Sequence, residues 1–259
     1  MRSEAEMVAY ALEVQPSLLP FIPELLADLD ELGSDSELVV KVLNDLRLPP
    51  SAKVIDLGCG KGAVSIEIAK KLRFRVLGID LFEPFIAYCQ NAAAKAGVSD
   101  LCEFLHGNIA KLAGSLEPAD AVVFAALGDV LGPPDETIRV LRQFVKTGGF
   151  LVVSDPYVRA GGSTSFDGFE NYGSRSETIA SLTAWGDVLI REVAEPVEED
   201  HDGNDGEEES LLIMRRAQEI AQRHPELKSA LLQFAKSQSD QNDYADENLV
   251  DAIWVIQRS

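Results

Sequence analysis

Short apolar runs alternate with stretches of helical periodicity from Ser34 to the end of the chain, and glycines separate many of them. This alternation predicts βαβ units, whose right-handed crossovers build a largely parallel sheet. The predicted strands are Lys53–Leu57, Arg75–Asp80, Cys102–Leu105, Asp120–Ala125, Phe150–Asp155, Asp187–Ala194 and Asp251–Gln257. The predicted helices, the first of them capped by Ser34 or Ser36, are Asp35–Leu46, Gly62–Leu72, Pro84–Ala96, Ile109–Ala113, Asp135–Lys146 and Glu177–Trp185. The pattern therefore predicts an α/β fold.

An N-terminal extension precedes this pattern. Residues 1–33 predict two short helices broken by prolines, with an apolar stripe along them. Two interpretations are open: the stripe packs against the body of the protein, or the extension closes over a ligand as a lid. The main domain is expected to span residues 34–259.

A second segment, residues 196–248, interrupts the alternation before the last strand. It begins with an acidic, glycine-containing loop at 196–210 and continues with predicted helices at 211–223 and 225–236. We interpret it as an inserted helical hairpin that either decorates the surface or caps the ligand site. The cap is favoured because ligands of open α/β sheets bind at the carboxyl ends of the strands.

The charge balance disfavours two classes of partner. The 23 Lys and Arg residues against 43 Asp and Glu residues give a formal net charge of −20. Nucleic-acid binders usually carry a basic surface that neutralises phosphates, and anionic membranes attract basic segments. We therefore expect a small-molecule acceptor, with no nucleic-acid partner and no membrane partner.

Cysteine use and the N-terminal sequence favour the reducing cytoplasm. The three cysteines cannot all pair, and none forms a C-x-x-C, which disfavours a disulfide scaffold or a cysteine-built zinc site. The histidines show no metal-binding spacing, so no metal is expected. Glu4 and Glu6 stand where a signal peptide has basic and then apolar residues, and the apolar run Ala121–Leu127 is too short to span a membrane.

A glycine-rich bend at Val54–Gly62 follows the first strand and opens a helix. Glycines suit such a bend because the backbone must turn sharply and approach a ligand closely. Gly58, Gly60 and Ala63 also satisfy the dinucleotide pattern G-x-G-x-x-A, so a nicotinamide or flavin ligand is an alternative. Asp56 argues against that alternative, because a carboxylate at the end of the strand suits a cation and repels a pyrophosphate.

A second acidic residue, Asp80, ends the next strand in Gly78-Ile79-Asp80. An acid at this position can accept hydrogen bonds from both hydroxyls of a ribose. The ribose is common to the competing cofactors. Asp80 therefore predicts a nucleoside, and Asp56 selects a positively charged one.

With these residues the chain resembles the class I S-adenosylmethionine-dependent methyltransferases. Val54–Gly62 is similar to the first motif of that family and Gly78–Asp80 to the second, and the resemblance continues through His106–Ile109, Asp120–Leu127 and Gly148–Asp155. The resemblance implies a Rossmann-like, seven-stranded, mostly parallel sheet with helices on both faces and an antiparallel last strand. The Asp155-Pro156-Tyr157 segment and the helical insertion resemble a subgroup that methylates small molecules.

The resemblance also implies S-adenosylmethionine as the cofactor and three groups of contacts with it. The methionine end would be held by Asp56, Gly58, Cys59 and Gly60. The ribose and adenine would be contacted by Asp80, Leu81, Asn108 and Ile109. The methyl-bearing end would lie against Ala125, Ala126 and Leu127.

Candidates for the acceptor side follow the later strands or belong to the insertion. The candidate catalytic residues are Asp155 and Tyr157, which follow the fifth strand. The candidate substrate contacts are Asp129, Tyr157, Tyr172, Arg215 and Tyr244. Methyl transfer needs in-line approach and exclusion of water, and a general base only when the nucleophile arrives protonated. An NAD(P)-dependent oxidoreductase and a non-catalytic nucleoside-binding module are the alternatives.

Overall fold

The computed structural model describes residues 2–125, 128–166, 168–194 and 204–259. Its contacts divide the chain into two compact units. The sheet unit comprises Glu31–Tyr157, Asn171–Ala194 and Asp251–Ser259. The helical unit comprises Met1–Asp30, Val158–Glu170 and Glu195–Val250.

The sheet unit is organised around a seven-stranded sheet. The strands along the chain are β1 (Lys53–Leu57), β2 (Arg75–Asp80), β3 (Cys102–His106), β4 (Ala119–Ala125), β5 (Val145–Ser154), β6 (Tyr157–Val158), β7 (Val188–Ala194), β8 (Leu249–Val250) and β9 (Ala252–Gln257). The sheet has the order β3-β2-β1-β4-β5-β9-β7, and β6 and β8 form a separate two-stranded sheet. Strand β9 is antiparallel to both of its neighbours, and the remaining pairs are parallel. The predicted seven-stranded sheet with an antiparallel last strand is confirmed.

Helices cover both faces of this sheet. The helices along the chain are α1 (Glu4–Ala11), α2 (Ile22–Leu25), α3 (Ser36–Asp45), α4 (Ala63–Leu72), α5 (Glu83–Lys95), α6 (Ile109–Leu112), α7 (Pro134–Leu141), α8 (Arg175–Leu182), α9 (Asn204–Arg223) and α10 (Lys228–Asn248). One buried cluster joins Val54 and Val123 of the sheet to α3, α4 and α5, and a second joins Ile55 and Val122 to α7 and α8. Neighbouring residues of a strand point to opposite faces, so each strand contributes to both clusters.

The helical unit contains α1, α2, α9 and α10, with short 3₁₀ turns at Pro16–Phe21 and Pro225–Leu227. Ion pairs join its N-terminal segment to α9, where Asp28 binds Arg216 at 2.6 Å and Glu24 pairs with Arg223. The ring of Phe21 packs edge-on against His224, with 4.8 Å between their centroids. Residues 1–30 and the insertion therefore fold as one compact body.

Helix α7 ends earlier than predicted, and α3 has a different cap from the predicted one. Helix α7 ends at Leu141, and Val145 and Lys146 belong to β5. Val145 is completely buried and pairs with Ala119, so tertiary contacts outweigh the helical pattern of this stretch. The cap of α3 is Asp35, whose carboxylate accepts from the Leu38 amide at 2.8 Å.

The insertion contains more helix than the sequence predicts. Helix α9 begins at Asn204, inside the segment predicted as loop, and residues 195–203 of that segment lie outside the described residues. Helix α10 continues twelve residues beyond Lys236 to Asn248, although its sequence there is polar. Lys236 pairs with Asp240 one turn later, and the ring of Tyr244 stacks on Phe166 at 4.9 Å, so side-chain contacts support the extra turns.

Within the described ranges, no helix combines the length and apolar character needed to span a membrane.

Candidate active site

The carboxyl ends of four parallel strands bring most of the predicted site residues to one edge of the sheet. Leu57 of β1 pairs with Ile79 of β2 and with Phe124 of β4, and Ala125 of β4 pairs with Ser154 of β5. Four features lie at these strand ends: the glycine bend after β1, Asp80 at the end of β2, the loop after β4, and Asp155 after β5. This edge is where ligands of open α/β sheets bind.

The glycine bend adopts backbone conformations that L-residues rarely take. Gly58 has φ of 74° and Gly60 has φ of 50°. At Gly62 a Cβ atom would lie 2.8 Å from the Cys89 Sγ, so a side chain there would collide with α5. The bend therefore requires glycine both for its turn and for its close packing.

The amides of the bend are bound inside the chain. The amides of Gly58 and Cys59 donate to the Ile79 carbonyl at 2.7 and 3.0 Å, and the Gly60 amide donates to Asp80 Oδ2 at 2.9 Å. A pyrophosphate site of the dinucleotide type needs such amides directed at the ligand. Since these three amides are already bonded to β2, the bend does not present them to an anion.

Asp80 lies beside the bend and has capacity for further hydrogen bonds. One carboxylate oxygen accepts from the Gly60 amide, and the other accepts from the Phe82 amide at 2.8 Å. Burial raises the pKa of this carboxyl group, and the two amide bonds oppose the rise. Each oxygen has a second lone pair. The carboxylate therefore fits a ligand with two adjacent hydroxyls, as the ribose of a nucleoside has.

Asp56 is more deeply buried than Asp80, at 3% exposure. Its carboxylate accepts from the Ser65 hydroxyl in the first turn of α4 at 2.6 Å. Burial raises its pKa to about 6, the charge of Asp80 adds to the rise, and the Ser65 bond opposes it. Asp56 and Asp80 thus share one electrostatic environment. Ser65 is a site residue that the sequence analysis missed, although its place in the first turn after the bend was a usable signal.

The predicted adenine contacts line the ends of β2 and β3. The Leu81 carbonyl is hydrogen-bonded to His106, with 2.9 Å between the carbonyl oxygen and Nε2. The Asn108 amide oxygen caps α6 by accepting from the Lys111 amide at 3.0 Å, and Ile109 begins that helix. Contacts of Leu81, Asn108 and Ile109 with adenine stay predictions, and the capping bond gives Asn108 a structural role of its own.

Cys59 contributes to the packing of the bend. Its side chain is buried with Ile86 and Cys89, and its carbonyl accepts from the Gly62 amide at 2.8 Å. A hydrogen bond with Cys89 and burial raise the pKa of the Cys59 thiol. The three cysteines are free thiols. These contacts give Cys59 a part in shaping the bend, and its contact with the cofactor stays a prediction. Ala125 lies at the end of β4, and Ala126 and Leu127 are outside the described residues.

On the acceptor side, Asp155 follows β5 with its main chain fixed from two directions. Its amide donates to the Ala252 carbonyl at 3.0 Å, and its carbonyl accepts from Trp254 Nε1 at 2.8 Å. Burial raises the pKa of its carboxyl group to about 7. The ring of Tyr157 lies 5.8 Å from the ring of Trp254. The two candidate catalytic residues are thus both anchored on β9.

The loop after β4 brings two more of the candidates together. Asp129 accepts from the Asn171 side chain at 2.9 Å. The neighbouring Tyr172 places its hydroxyl 3.9 Å from the position of a Cβ on Gly128. Asp129 and Tyr172 are therefore neighbours at the carboxyl edge, although 42 positions separate Asp129 from Asn171.

The remaining two candidates, Arg215 and Tyr244, belong to the helical unit. Arg215 and Arg216 both bind Asp28, at 2.7 and 2.6 Å. Their charges are therefore engaged by the chain, and the substrate contact of Arg215 stays a prediction. Tyr244 packs with Phe166 and Phe169. Among the described residues, no three His, Cys, Asp or Glu side chains form a set that could hold a metal ion.

These features fit a nucleoside ligand, and the antiparallel β9 distinguishes the sheet from the parallel dinucleotide-binding sheet. A family model described as a methyltransferase domain matches residues 49–223. The chain therefore belongs to the methyltransferase-domain family. The predicted resemblance to class I S-adenosylmethionine-dependent methyltransferases is confirmed, and neither sequence alternative gains support.

Individual relatives show how far the similarity extends. The uncharacterized protein YjhP of Escherichia coli K12 is 29% identical over 114 residues, which cover 44% of this chain and 46% of that protein. The tRNA 5-carboxymethoxyuridine methyltransferase of the same organism is 31% identical over 104 residues, 40% of each chain. The chain thus spans less than half the length of these curated relatives, and the second is named for a nucleic-acid substrate.

Among solved structures, a methyltransferase from Geobacter sulfurreducens in complex with S-adenosyl-L-homocysteine superposes with a TM-score of 0.76. The two chains are 19% identical, and the alignment covers 93% of this chain and 98% of that one. The similarity shows a shared fold. The ligand of that structure agrees with the cofactor predicted from the sequence.

Proposed function

We propose that the protein transfers a methyl group from S-adenosylmethionine to a small-molecule acceptor. In this proposal Gly58 and Gly60 form the surface against the methionine end, and Asp80 accepts hydrogen bonds from the ribose. Asp56 supplies negative charge behind the bend. Ala125 lies toward the methyl group, and Leu81, Asn108 and Ile109 surround the adenine.

The observation that carries the proposal is the joint use of the bend and Asp80. The amides of Gly58, Cys59 and Gly60 bond to β2 and are not presented to an anion, and Asp80 retains lone pairs for two hydroxyls. Two buried carboxylates next to each other favour a cationic nucleoside. S-adenosylmethionine has this character and, when bound, supplies a methyl carbon on a positively charged sulfur that leaves as a neutral thioether.

The acceptor is proposed to be small because the charge balance disfavours polyanions. The formal net charge is −20. A tRNA acceptor, for which one relative is named, would need a local basic surface to offset this repulsion. In the proposal Asp155 and Tyr157 contact the reacting end of the acceptor, and Asp129 and Tyr172 line its path.

Calorimetric titration with S-adenosylhomocysteine tests the proposal directly. We expect saturable binding by the wild-type protein and a loss of at least about 100-fold in affinity for Asp80→Ala, because two charge-assisted hydrogen bonds disappear. Asp45→Asn is the matched control, since Asp45 is an exposed partner of Arg191 outside the site. Equal affinity of Asp80→Ala and wild type, or binding of NAD in preference to S-adenosylhomocysteine, would contradict the assignment.

A further inference from the structure

We propose that the acceptor is a small amine that binds as an ammonium cation, and that the Asp155 carboxylate recognises this cation and takes its proton. The inference rests on the proposed function and deepens it by naming the class of acceptor. Its first support is the position of the Asp155 carboxyl group at the carboxyl edge of the sheet.

Asp155 is rigidly placed but its carboxylate is left open. The main chain is bound on one side to Ala252 and on the other to the Trp254 indole, which is fully buried. Within the described ranges, the carboxylate oxygens accept no hydrogen bond from the chain. Asp155 is half-buried, and its carboxylate can gain hydrogen bonds when a ligand supplies donors.

Its place in the sheet suits the acceptor side of the reaction. Strand β5 is two strands from β1, whose end carries the glycine bend. Adjacent strands lie about 4.8 Å apart, so the two strand ends are about 10 Å apart across the edge. This separation leaves room for a cofactor at the bend and a small acceptor in front of Asp155.

The electrostatics of the edge favour a cation. Burial is the one cause of the raised pKa of Asp155, and no charged neighbour among the described residues contributes to it. A bound ammonium group would stabilise the ionised carboxylate that burial disfavours. An anionic acceptor would instead face Asp155 and, in the next loop, Asp129.

Two arginines considered as partners for an anionic acceptor are already paired with carboxylates. Arg175 in α8 binds Glu192 of β7 through both Nε and Nη2. Arg215 binds Asp28 within the helical unit. These pairings make the two side chains less available to a carboxylate or phosphate.

Tyr157 supplies the second element of amine recognition. Its half-buried ring is backed by the buried Trp254, with 5.8 Å between the ring centroids. A carboxylate beside an aromatic face is a common arrangement for binding ammonium groups. Asp155 and Tyr157 are two residues apart, and both contact Trp254, Asp155 through its carbonyl and Tyr157 through its ring.

The proton balance also requires a base at this position. An ammonium nitrogen has no lone pair, so one N–H bond must break before the nitrogen can act as a nucleophile. The Asp155 carboxylate accepts that proton, and the electron pair of the broken bond stays on nitrogen. Asp155 later returns the proton to solvent. Burial disfavours the charged carboxylate and so favours this transfer, which converts the ion pair into a neutral pair.

Calorimetry with defined probes tests the inference separately from catalysis. With S-adenosylhomocysteine bound, the protein is titrated with 2-phenylethylamine, 2-phenylethanol and 3-phenylpropionate, and with butylamine, 1-butanol and butyrate. We expect each amine to bind at least about tenfold more tightly than its alcohol and its acid. In buffers of different ionisation enthalpy at about pH 6.5, amine binding should release roughly half a proton or more, because the cation favours ionised Asp155.

The variant Asp155→Asn separates this role from a general effect of charge. It should lose the proton release and at least about tenfold in amine affinity while it keeps its affinity for S-adenosylhomocysteine. Asp45→Asn removes an exposed charge elsewhere in the sheet unit and should retain both properties. Failure of the wild-type protein to bind S-adenosylhomocysteine would refute the proposed function itself. Normal cofactor binding with no preference for the amines, or with proton uptake, would overturn the inference alone.

Discussion

The two edges of the seven-stranded sheet treat their carboxylates differently. The amino edge carries Asp120 and Asp187, and the carboxyl edge carries Asp56, Asp80 and Asp155. At the amino edge, cationic side chains of the chain itself bind the carboxylates. At the carboxyl edge the hydrogen bonds to these carboxylates come from main-chain amides and a serine hydroxyl. Burial raises the pKa of all three groups there.

At the amino edge, each carboxylate is paired with a cationic side chain of the chain itself. Asp120 accepts from Lys146 Nζ at 2.6 Å and from the Lys53 amide at 2.9 Å. Partial burial of Asp120 acts against these bonds, but the bonds dominate and lower its pKa. Asp187 accepts from the Ser259 amide at 3.0 Å and pairs with Arg142 at 3.3 Å.

The comparison agrees with a division of labour in which the amino edge stabilises the fold and the carboxyl edge binds the proposed ligands. A carboxylate bound by the chain's own cations has little left to gain from a ligand. A buried carboxylate with few partners reduces the stability of the free protein, and a cationic ligand offsets that cost. Three changes test this division, in order of decreasing expected effect.

The largest effect is expected at the amino edge, for Asp187→Ala. The change leaves the Arg142 guanidinium without its carboxylate and the Ser259 amide without its acceptor. The free energy of unfolding should fall by about 3 kcal/mol, as for other broken buried pairs. Urea unfolding measures the loss, and the affinity for S-adenosylhomocysteine should stay at the wild-type value below the transition.

Asp187→Asn is the matched control, because it keeps an oxygen for the Ser259 amide and removes only the charge. It should lose less stability than Asp187→Ala. An unchanged urea midpoint for Asp187→Ala would show that the amino edge does not stabilise the fold in this way.

The second effect has the opposite sign, since Asp155→Asn should stabilise the protein at alkaline pH. A carboxyl group with a raised folded-state pKa contributes stability that is fully present below about pH 4 and is lost as the pH rises through about 7. The Asp155→Asn variant has no carboxyl group to ionise at this position, so it does not lose this stability as the pH rises. Its advantage over wild type in unfolding free energy should therefore grow by roughly 1–3 kcal/mol from about pH 4 to pH 8.

Urea unfolding at several pH values measures this difference. Asp45→Asn, at an exposed ion pair, controls for the change in net charge. A variant that is less stable than wild type at pH 8 would mean that the folded chain stabilises the charge of Asp155, and the contrast between the edges would not hold there.

The smallest effect is expected for Ser65→Ala, which removes the hydroxyl bound to Asp56 at 2.6 Å. A buried carboxylate that loses a hydrogen bond costs roughly 1–2 kcal/mol. The bond opposes the raised pKa of Asp56, so its removal should raise that pKa further and make the stability loss greater at pH 8 than at pH 4.

The matched control is Ser36→Ala, which removes another buried hydroxyl, bound to Glu31 at 2.6 Å outside the site. Only Ser65→Ala should weaken the binding of S-adenosylhomocysteine. If both variants behaved alike in calorimetry, the Ser65–Asp56 bond would have no specific part in the site.

The strands that carry the cofactor side were the most predictable part of the fold. Strands β1 and β2 begin and end at the predicted residues, because each is a buried apolar run. Asp56 and Asp80 lie at the ends of those strands, so the parallel pairing of β1 and β2 predicts that the two residues are close together. The acceptor side was less predictable, because Asp155 is defined by bonds to β9, which is about a hundred residues away in the sequence.

The failures come from interactions that no local pattern contains. The partner of Arg215 is Asp28, 187 residues away, so the sequence could not show that its charge is engaged. Val145 has the local pattern of a helix and joins β5 through its pairing with Ala119. Helix α10 extends through a polar stretch because aromatic packing at Tyr244 supports it.

The position of β9 in the chain has a consequence for biosynthesis. Gly60 and Asp80, which are joined by a hydrogen bond, are only twenty residues apart in the sequence. Trp254, whose indole binds the Asp155 carbonyl, comes ninety-nine residues after Asp155. On the ribosome, the proposed ribose-binding residues therefore emerge long before β9. The indole bond that fixes Asp155, the proposed acceptor contact, can form only after β9 has been synthesised.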